Sequence, residues 1–189
     1  MSLKGSHTTS DYIPFEKAES KANDLIRAND VLGLYIMVAI NTGLRIGDIL
    51  KLRFDDFIGD ELILIEGKTK KRRIIALNDR LKEAINKFKA HLFPDPIYAS
   101  GFIFFSQKGT VYARQSINRM LKKHFDSKSI NVSSHSLRKS FGRRVYENNN
   151  ESEKALMKLS ELFNHSSLSI TRKYLGLRQE ELNEVYLSL

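Results

Sequence analysis

Apolar residues change their spacing twice along the chain, and each change marks a different kind of element. From Phe15 to about Asn29, Ala18, Ala22, Leu25 and Ile26 recur at three- and four-residue intervals, which predicts an amphipathic helix. Asp30 stands where it can cap a second helix from Val31 to about Asn41; that segment is apolar on all sides, so it is expected inside the core. Thr42-Gly43 ends it, and a further helix is expected from Arg45, with Ile46, Ile49, Leu50 and Leu52 facing inward. The period then shortens. Glu61–Glu66 and Arg72–Leu77 are brief β-branched-rich runs on either side of Gly67-Lys68-Thr69-Lys70-Lys71, which predicts a hairpin with a cationic turn.

Asn78 or Asp79 can cap a helix reaching about His91, Pro94 and Pro96 mark a loop, and Phe102–Phe105 with Val111-Tyr112 suggest short strands or buried turns. Helical spacing returns near 115–125, 134–147, 151–162, 168–174 and 179–189. The expected fold is mainly α with a small antiparallel β-sheet, an α+β domain over 13–189 behind a polar, patternless and flexible lead-in at 1–12. No internal repeat is visible.

With 189 residues and 41% hydrophobic content, the chain is long enough for a sizeable core without staples. It contains no cysteine, which removes disulfides, thiolate metal sites and thiol nucleophiles and fits a reducing cytoplasm. The longest apolar run, Val31–Ile40, is about half of the ~20 residues a bilayer span requires, and no charged-then-apolar leader precedes it, so a soluble cytoplasmic protein is expected. Lys and Arg outnumber Asp and Glu by 31 to 22, a net charge of +9 that favours a polyanionic partner, nucleic acid ahead of an anionic membrane.

That charge directs attention to residues able to hold and attack a phosphodiester. His135 and Arg138 lie three apart near the start of a helix that Ser133 or Ser134 can cap, an end that attracts phosphate. Arginine offers a planar fork for two phosphate oxygens, and histidine exchanges protons near neutral pH. Arg45 sits at a helix junction with Asp48 one turn on, placed to hold its guanidinium; Lys68 lies in the hairpin turn, where a long ammonium can protonate a leaving oxygen. His165 precedes a helix start at Ser166-Ser167, and Tyr174 follows nine residues later. Taken singly, each has an ordinary reading: a chance His-x-x-Arg pair, a surface Arg45–Asp48 salt bridge, a solvated charge run, a tyrosine packed by its ring.

The ordered set has a different weight. Thr42-Gly43-Leu44-Arg45-Ile46-Gly47-Asp48-Ile49-Leu50, then Gly67-Lys68 with Lys71-x-Arg73, then His135-Ser136-Leu137-Arg138-Lys139-Ser140-Phe141, then Asn164-His165-Ser166-Ser167 with Tyr174, closely resembles the tyrosine recombinase (phage integrase) family from about Phe15 to the C-terminus. The resemblance implies that family's catalytic-domain fold and a site-specific enzyme that cuts and rejoins double-stranded DNA through a 3′-phosphotyrosyl intermediate, with neither metal nor cofactor. It implies Tyr174 as nucleophile, Arg45 and Arg138 as clamps on the scissile phosphate, and Lys68 as acid for the 5′-hydroxyl. His135 would act on the tyrosine proton, His165 would be a further donor to the phosphate, and Asp48 a support for Arg45. It also implies assembly into a homotetramer on DNA, with a monomer in solution compatible, in a bacterial or mobile-element setting, and an N-terminal core-binding domain for which this chain has no room. Leu182, Val185, Tyr186 and Leu189 form a stripe that either packs on its own domain or docks into a neighbouring copy. Asn164, Ala76 and Lys139 depart from the family's frequent glycine, proline and histidine. Competing readings are a non-catalytic DNA binder, a metal-independent ribonuclease using His135 and His165 beside Lys68, and a type IB topoisomerase-like enzyme.

Overall fold

The computed structural model describes residues 10–92, 101–106, 108–125 and 130–189. Its elements are α1 (Phe15–Arg27), α2 (Val31–Thr42), a one-turn α3 (Ile46–Ile49), a 3-10 turn (Phe54–Phe57), strands β1 (Glu61–Ile65) and β2 (Arg72–Ala76), then α4 (Asp79–Leu92), α5 (Arg114–Phe125), α6 (Ser134–Asn148), α7 (Glu153–Phe163), α8 (Leu168–Leu175) and α9 (Leu177–Leu187). Helices with one two-stranded antiparallel sheet are the α+β fold expected. The expected loop at Pro94 and Pro96 lies outside the described residues, as does the lead-in before residue 10.

Helix α2 is the central strut. Asp30 accepts from the Leu32 amide at 2.8 Å, and Gly43 closes the other end in the left-handed region (φ 59°). A Cβ at Gly43 would run into the Phe141 ring, so both the backbone conformation and the space exclude a side chain there. Leu32, Leu34, Ile36, Val38 and Ile40 point to several sides of α2 and are all buried, as a helix apolar all round requires. Around it, α1, α4, α5 and the hairpin close one large apolar core.

A second, smaller apolar cluster joins α6 to α9: Tyr146, Ala155, Leu156, Leu159, Phe163, Leu175 and Leu177, with Phe141, Val145, Leu168 and Tyr174 against it. Helix α6 is capped by Ser133, whose hydroxyl accepts from the His135 amide at 3.1 Å, and it borders both clusters: Leu137 belongs to the large one, Tyr146 to the small one.

Three expectations gain detail. The helix expected from Arg45 is a single turn that passes into a turn at Leu50-Lys51; Ile49, Leu50 and Leu52 are buried as predicted. Of the short strands or buried turns expected near Phe102 and Val111, the chain forms isolated bridges, Arg53 with Phe102 and Phe105 with Val111, with Ile103 and Phe104 buried between them. The part of the lead-in that is described is fixed: the Asp11 amide donates to the Asn131 carbonyl at 3.0 Å and the Ser10 and Ser133 hydroxyls are 2.6 Å apart.

Candidate active site

The hairpin carries the first half of the site. Its inward face continues the strand alternation through Leu62, Leu64 and Glu66 on one side and Leu77, Ile75 and Arg73 on the other. Glu66 is thus a carboxylate in a core-facing position. It accepts from Arg45 Nη1 at 2.8 Å, from Arg73 Nη1 at 3.0 Å and from the Thr69 hydroxyl at 2.7 Å. Burial acts to raise its carboxyl, yet the hydrogen bonds from Thr69, Arg73 and Arg45 outweigh it and hold the group below the ordinary carboxylate range. Arg73 also donates to the carbonyls of Thr42 and Leu162, so it stitches the end of α2 to the end of α7.

Arg45 was expected to lean on Asp48. Instead its guanidinium is held by Glu66 and, through Nη2, by the Phe163 carbonyl at 3.1 Å. Asp48 is buried and accepts from the Gly67 amide at 2.8 Å, because Arg45 precedes α3 with extended backbone (ψ 146°) and so does not share a helical side-chain row with Asp48. The carboxylate therefore fixes the hairpin turn on which Lys68 stands rather than the arginine.

Arg138 projects from the first turns of α6. It is 4% exposed, donates through Nη1 to the Gly43 carbonyl and lies over the Phe163 ring at 4.4 Å. Burial pulls its pKa down to about 10, with Tyr174 opposing and Arg45 adding to the fall, so it keeps its charge at neutral pH. Arg45, Asp48, Lys68, His135 and Arg138 line one cleft of about 470 Å³, together with Lys51, Lys70 and Arg114. Of each guanidinium's five N–H donors, Arg45 commits two and Arg138 one among the described residues, which leaves donors for an anion.

His165 and Tyr174 are brought together behind this cleft. Their rings sit 5.3 Å apart, edge to face, and each packs on Phe163 at 5.4 and 5.3 Å. His165 Nδ1 is 3.0 Å from the Thr171 hydroxyl, which leaves Nε2 for another partner. The Tyr174 hydroxyl is buried beside Arg138 without a hydrogen bond of normal geometry. Burial pushes its pKa up to about 12 against the opposing pull of Arg138 and Arg45. His135 and His165 are both held below the ordinary histidine range, first by burial and then by cations: Arg138, Lys139, Arg45 and Lys68 around His135, and Arg138, Arg45 and Lys68 around His165.

All six side chains expected to do chemistry thus fall in one region of the fold. The sequence reading missed Glu66, Thr171 and the cleft positions Lys51 and Arg114. For Glu66 a signal existed, since a carboxylate at the third inward position of a strand must find cations. Asn164 is explained too: it ends α7 in the left-handed region (φ 55°), where asparagine is the best replacement for glycine, and its side chain accepts from Lys71 Nζ at 2.8 Å.

A cationic cleft with two half-tied guanidinium forks and a buried phenol at its back has the donors to hold a phosphate group and a hydroxyl close to it. Comparison with known proteins gives the class. The family model of the phage integrase family matches residues 18–181. The chain is 29% identical over 174 residues to the probable integrase/recombinase YoeC of Bacillus subtilis (strain 168), covering 90% of this chain and 91% of that one. It is 30% identical over 150 residues to tyrosine recombinase XerD of Lacticaseibacillus casei, covering 77% of this chain and 50% of XerD, so it spans about half the length of that relative. Among solved structures, XerA recombinase superposes with a TM-score of 0.69 at 19% identity, over 98% of this chain and 66% of that one. XerH site-specific recombinase, bound to a palindromic difH substrate in a post-cleavage complex, superposes at 0.66 and 21% identity, over 98% and 55%. The chain belongs to the phage integrase family, whose members include the tyrosine recombinases.

Proposed function

We propose that this domain cuts and rejoins duplex DNA at specific recombination sites by two metal-independent transesterifications, with Tyr174 as the nucleophile. The observation that carries this reading is the convergence of Arg45, Arg138, Lys68 and His135 on one cleft, with the Tyr174 hydroxyl beside Arg138. In this mechanism the unused donors of Arg45 and Arg138 take the two non-bridging oxygens of the scissile phosphate, whose charge grows as phosphorus becomes five-coordinate. Tyr174 Oη attacks phosphorus and its proton passes to neutral His135. His165 donates from Nε2 to a phosphate oxygen in the tautomer whose Nδ1 accepts from the Thr171 hydroxyl 3.0 Å away, the hydroxyl turning from its longer bond of 3.5 Å to the Ser167 carbonyl. Lys68, on the turn fixed by Asp48, protonates the departing 5′-oxygen. The products are a 3′-phosphotyrosyl bond and a free 5′-hydroxyl, and attack by a 5′-hydroxyl returns every proton and bond, so no external energy source enters.

Burial of the Tyr174 hydroxyl implies that its helix shifts when DNA enters, bringing the phenol to the phosphate. The stripe on α9 is exposed, with Leu182 at 45%, Val185 at 60% and Tyr186 at 73%, and this supports assembly with further copies, a tetramer on DNA, rather than packing on its own domain. YoeC and XerD come from bacteria, which supports action on DNA in the cytoplasm.

The test is a pool of nicked duplexes of randomised sequence incubated with the protein and denatured. A denaturation-resistant protein–DNA adduct is expected with the native chain, insensitive to chelator and absent in Tyr174→Phe. An adduct formed by Tyr174→Phe, or one lost with chelator, refutes the reading.

A further inference from the structure

Residues 10–13 form a strap along α6. The Ser10 carbonyl accepts from Lys139 Nζ at 2.6 Å, the Asn131 amide donates to Asp11 Oδ2 at 2.7 Å, and the Ser140 hydroxyl donates to the Ile13 carbonyl. The Tyr12 ring lies 4.5 Å from the Arg143 guanidinium. Two of these α6 side chains also reach α8. Lys139 Nζ stands 5.5 Å from the centre of the Tyr174 ring, and Arg143 Nε donates to the Leu175 carbonyl at 2.8 Å. Four residues apart, they share one face of α6, and both are buried, at 8% and 9% exposure.

An ammonium shut away from water needs acceptors, and among the described residues this one meets the Ser10 carbonyl and the electron-rich face of Tyr174. One fixes it to the strap, the other fixes the phenol ring to it. Arg143 repeats the arrangement one helical turn on, with the Tyr12 ring on one side and, on the other, a carbonyl in the last turn of α8, where a cation is favoured. Burial and then Arg143, against Asp11, hold the Lys139 ammonium below the ordinary lysine range, as expected of a charge kept in place by the fold rather than by solvent.

We propose that Lys139 is a positioning residue for Tyr174, and that the seating of residues 10–12 on α6 sets the position of the tyrosine through Lys139 and Arg143. Its catalytic consequence rests on the reading of Tyr174 as nucleophile; the mechanical coupling does not. Displacing the strap takes away the only backbone acceptor of Lys139 Nζ among the described residues and loosens the Lys139 side of the Tyr174 ring, leaving its contacts with Phe163 and His165.

Three variants of the full chain test this. Lys139→Met keeps length and packing but removes the charge, Lys139→Arg keeps the charge, and Tyr12→Ala loosens the strap without altering α6 or α8. The first measurement needs no DNA: the rate at which tetranitromethane nitrates Tyr174, followed by peptide mass spectrometry, with buried Tyr35 reporting global unfolding. Tyr174 is expected to react about tenfold faster in Lys139→Met, faster than native in Tyr12→Ala and near the native rate in Lys139→Arg, with Tyr35 unchanged. An unchanged Tyr174 rate in Lys139→Met overturns the proposal. Should Tyr35 also react in that variant, Tyr12→Ala decides, and a native rate there overturns it. The second measurement is single-turnover adduct formation at saturating nicked duplex. A fall of about tenfold in Lys139→Met with DNA affinity unchanged is expected for a misplaced nucleophile, whereas loss of affinity at an unchanged rate marks an ordinary phosphate contact and overturns it. If the native protein forms no adduct, the nucleophile reading fails while nitration still decides the coupling.

Discussion

Replacing Glu66 by Gln changes almost nothing in shape and removes one charge from the joint of the site. The side chain is 6% exposed and serves three donors: Oε2 takes Arg45 at 2.8 Å and Thr69 at 2.7 Å, and Oε1 takes Arg73 at 3.0 Å. An amide has one accepting oxygen. Set at the Oε2 position, it keeps Arg45 and Thr69 but turns an NH2 group towards Arg73; reversed, it loses two bonds. At least one charge-assisted hydrogen bond is lost, about 1.5–3 kcal/mol, and Arg73, its side chain 11% exposed, is left with carbonyl partners alone. Allowing for a partly uncompensated buried cation, we expect a destabilisation of about 2–4 kcal/mol. For a domain of this size that corresponds to a fall in Tm of about 4–16 °C by scanning calorimetry. Glu61→Gln, at the exposed opposite end of β1, is the matched control and should stay within about 0.5 kcal/mol of the native chain. A Glu66→Gln transition that coincides with that of Glu61→Gln would refute the assignment of Glu66 as the structural link between Arg45 and Arg73.

Two further outcomes are expected. Tyr174→Phe should abolish the adduct yet raise the Tm by about 2–4 °C, because it deletes a buried hydroxyl that makes no hydrogen bond of normal geometry among the described residues, worth about 1 kcal/mol; a lower Tm than native contradicts that account. The DNA-free domain should lose stability as pH falls below the ordinary histidine value of 6.5, since His135 and His165 have depressed values when folded and the unfolded chain binds more protons there. Inorganic phosphate in the cleft should reduce that loss and His135→Gln/His165→Gln should flatten it, with Tm against pH as the readout and an unaltered slope in the double variant as the contrary result.

Much of the architecture could be read directly from residue spacing, because local rules act over short stretches. The uniform apolarity of Val31–Ile40 required burial, Asp30 and Ser133 cap where their side chains allow, and β-branched runs around a cationic turn make a hairpin. What escaped was set by contacts between distant segments. Arg45 finds Glu66, 21 positions away, and Phe163, 118 away, while its neighbour Asp48 turns to Gly67. Nothing local separates Glu66 from Glu61 except the count of strand positions, which puts one inside and the other in solvent. Lys139 reads as a helix-surface cation until residues 10–12 are laid over it.

The division of apolar packing into two unequal clusters bears on how freely the parts of the site can move. Arg45 and the Lys68 hairpin are built onto the larger mass, and Tyr174 onto the smaller, with α6 as the border between them. Fewer side chains hold the smaller one, so α8 and α9 can detach at a fraction of the cost of melting the whole. Amide hydrogens there should trade with solvent sooner than those of α2. Under the proposed mechanism the nucleophile would thus ride on the looser part of the fold, with Arg45 anchored to the stiffer part and Arg138 at the border.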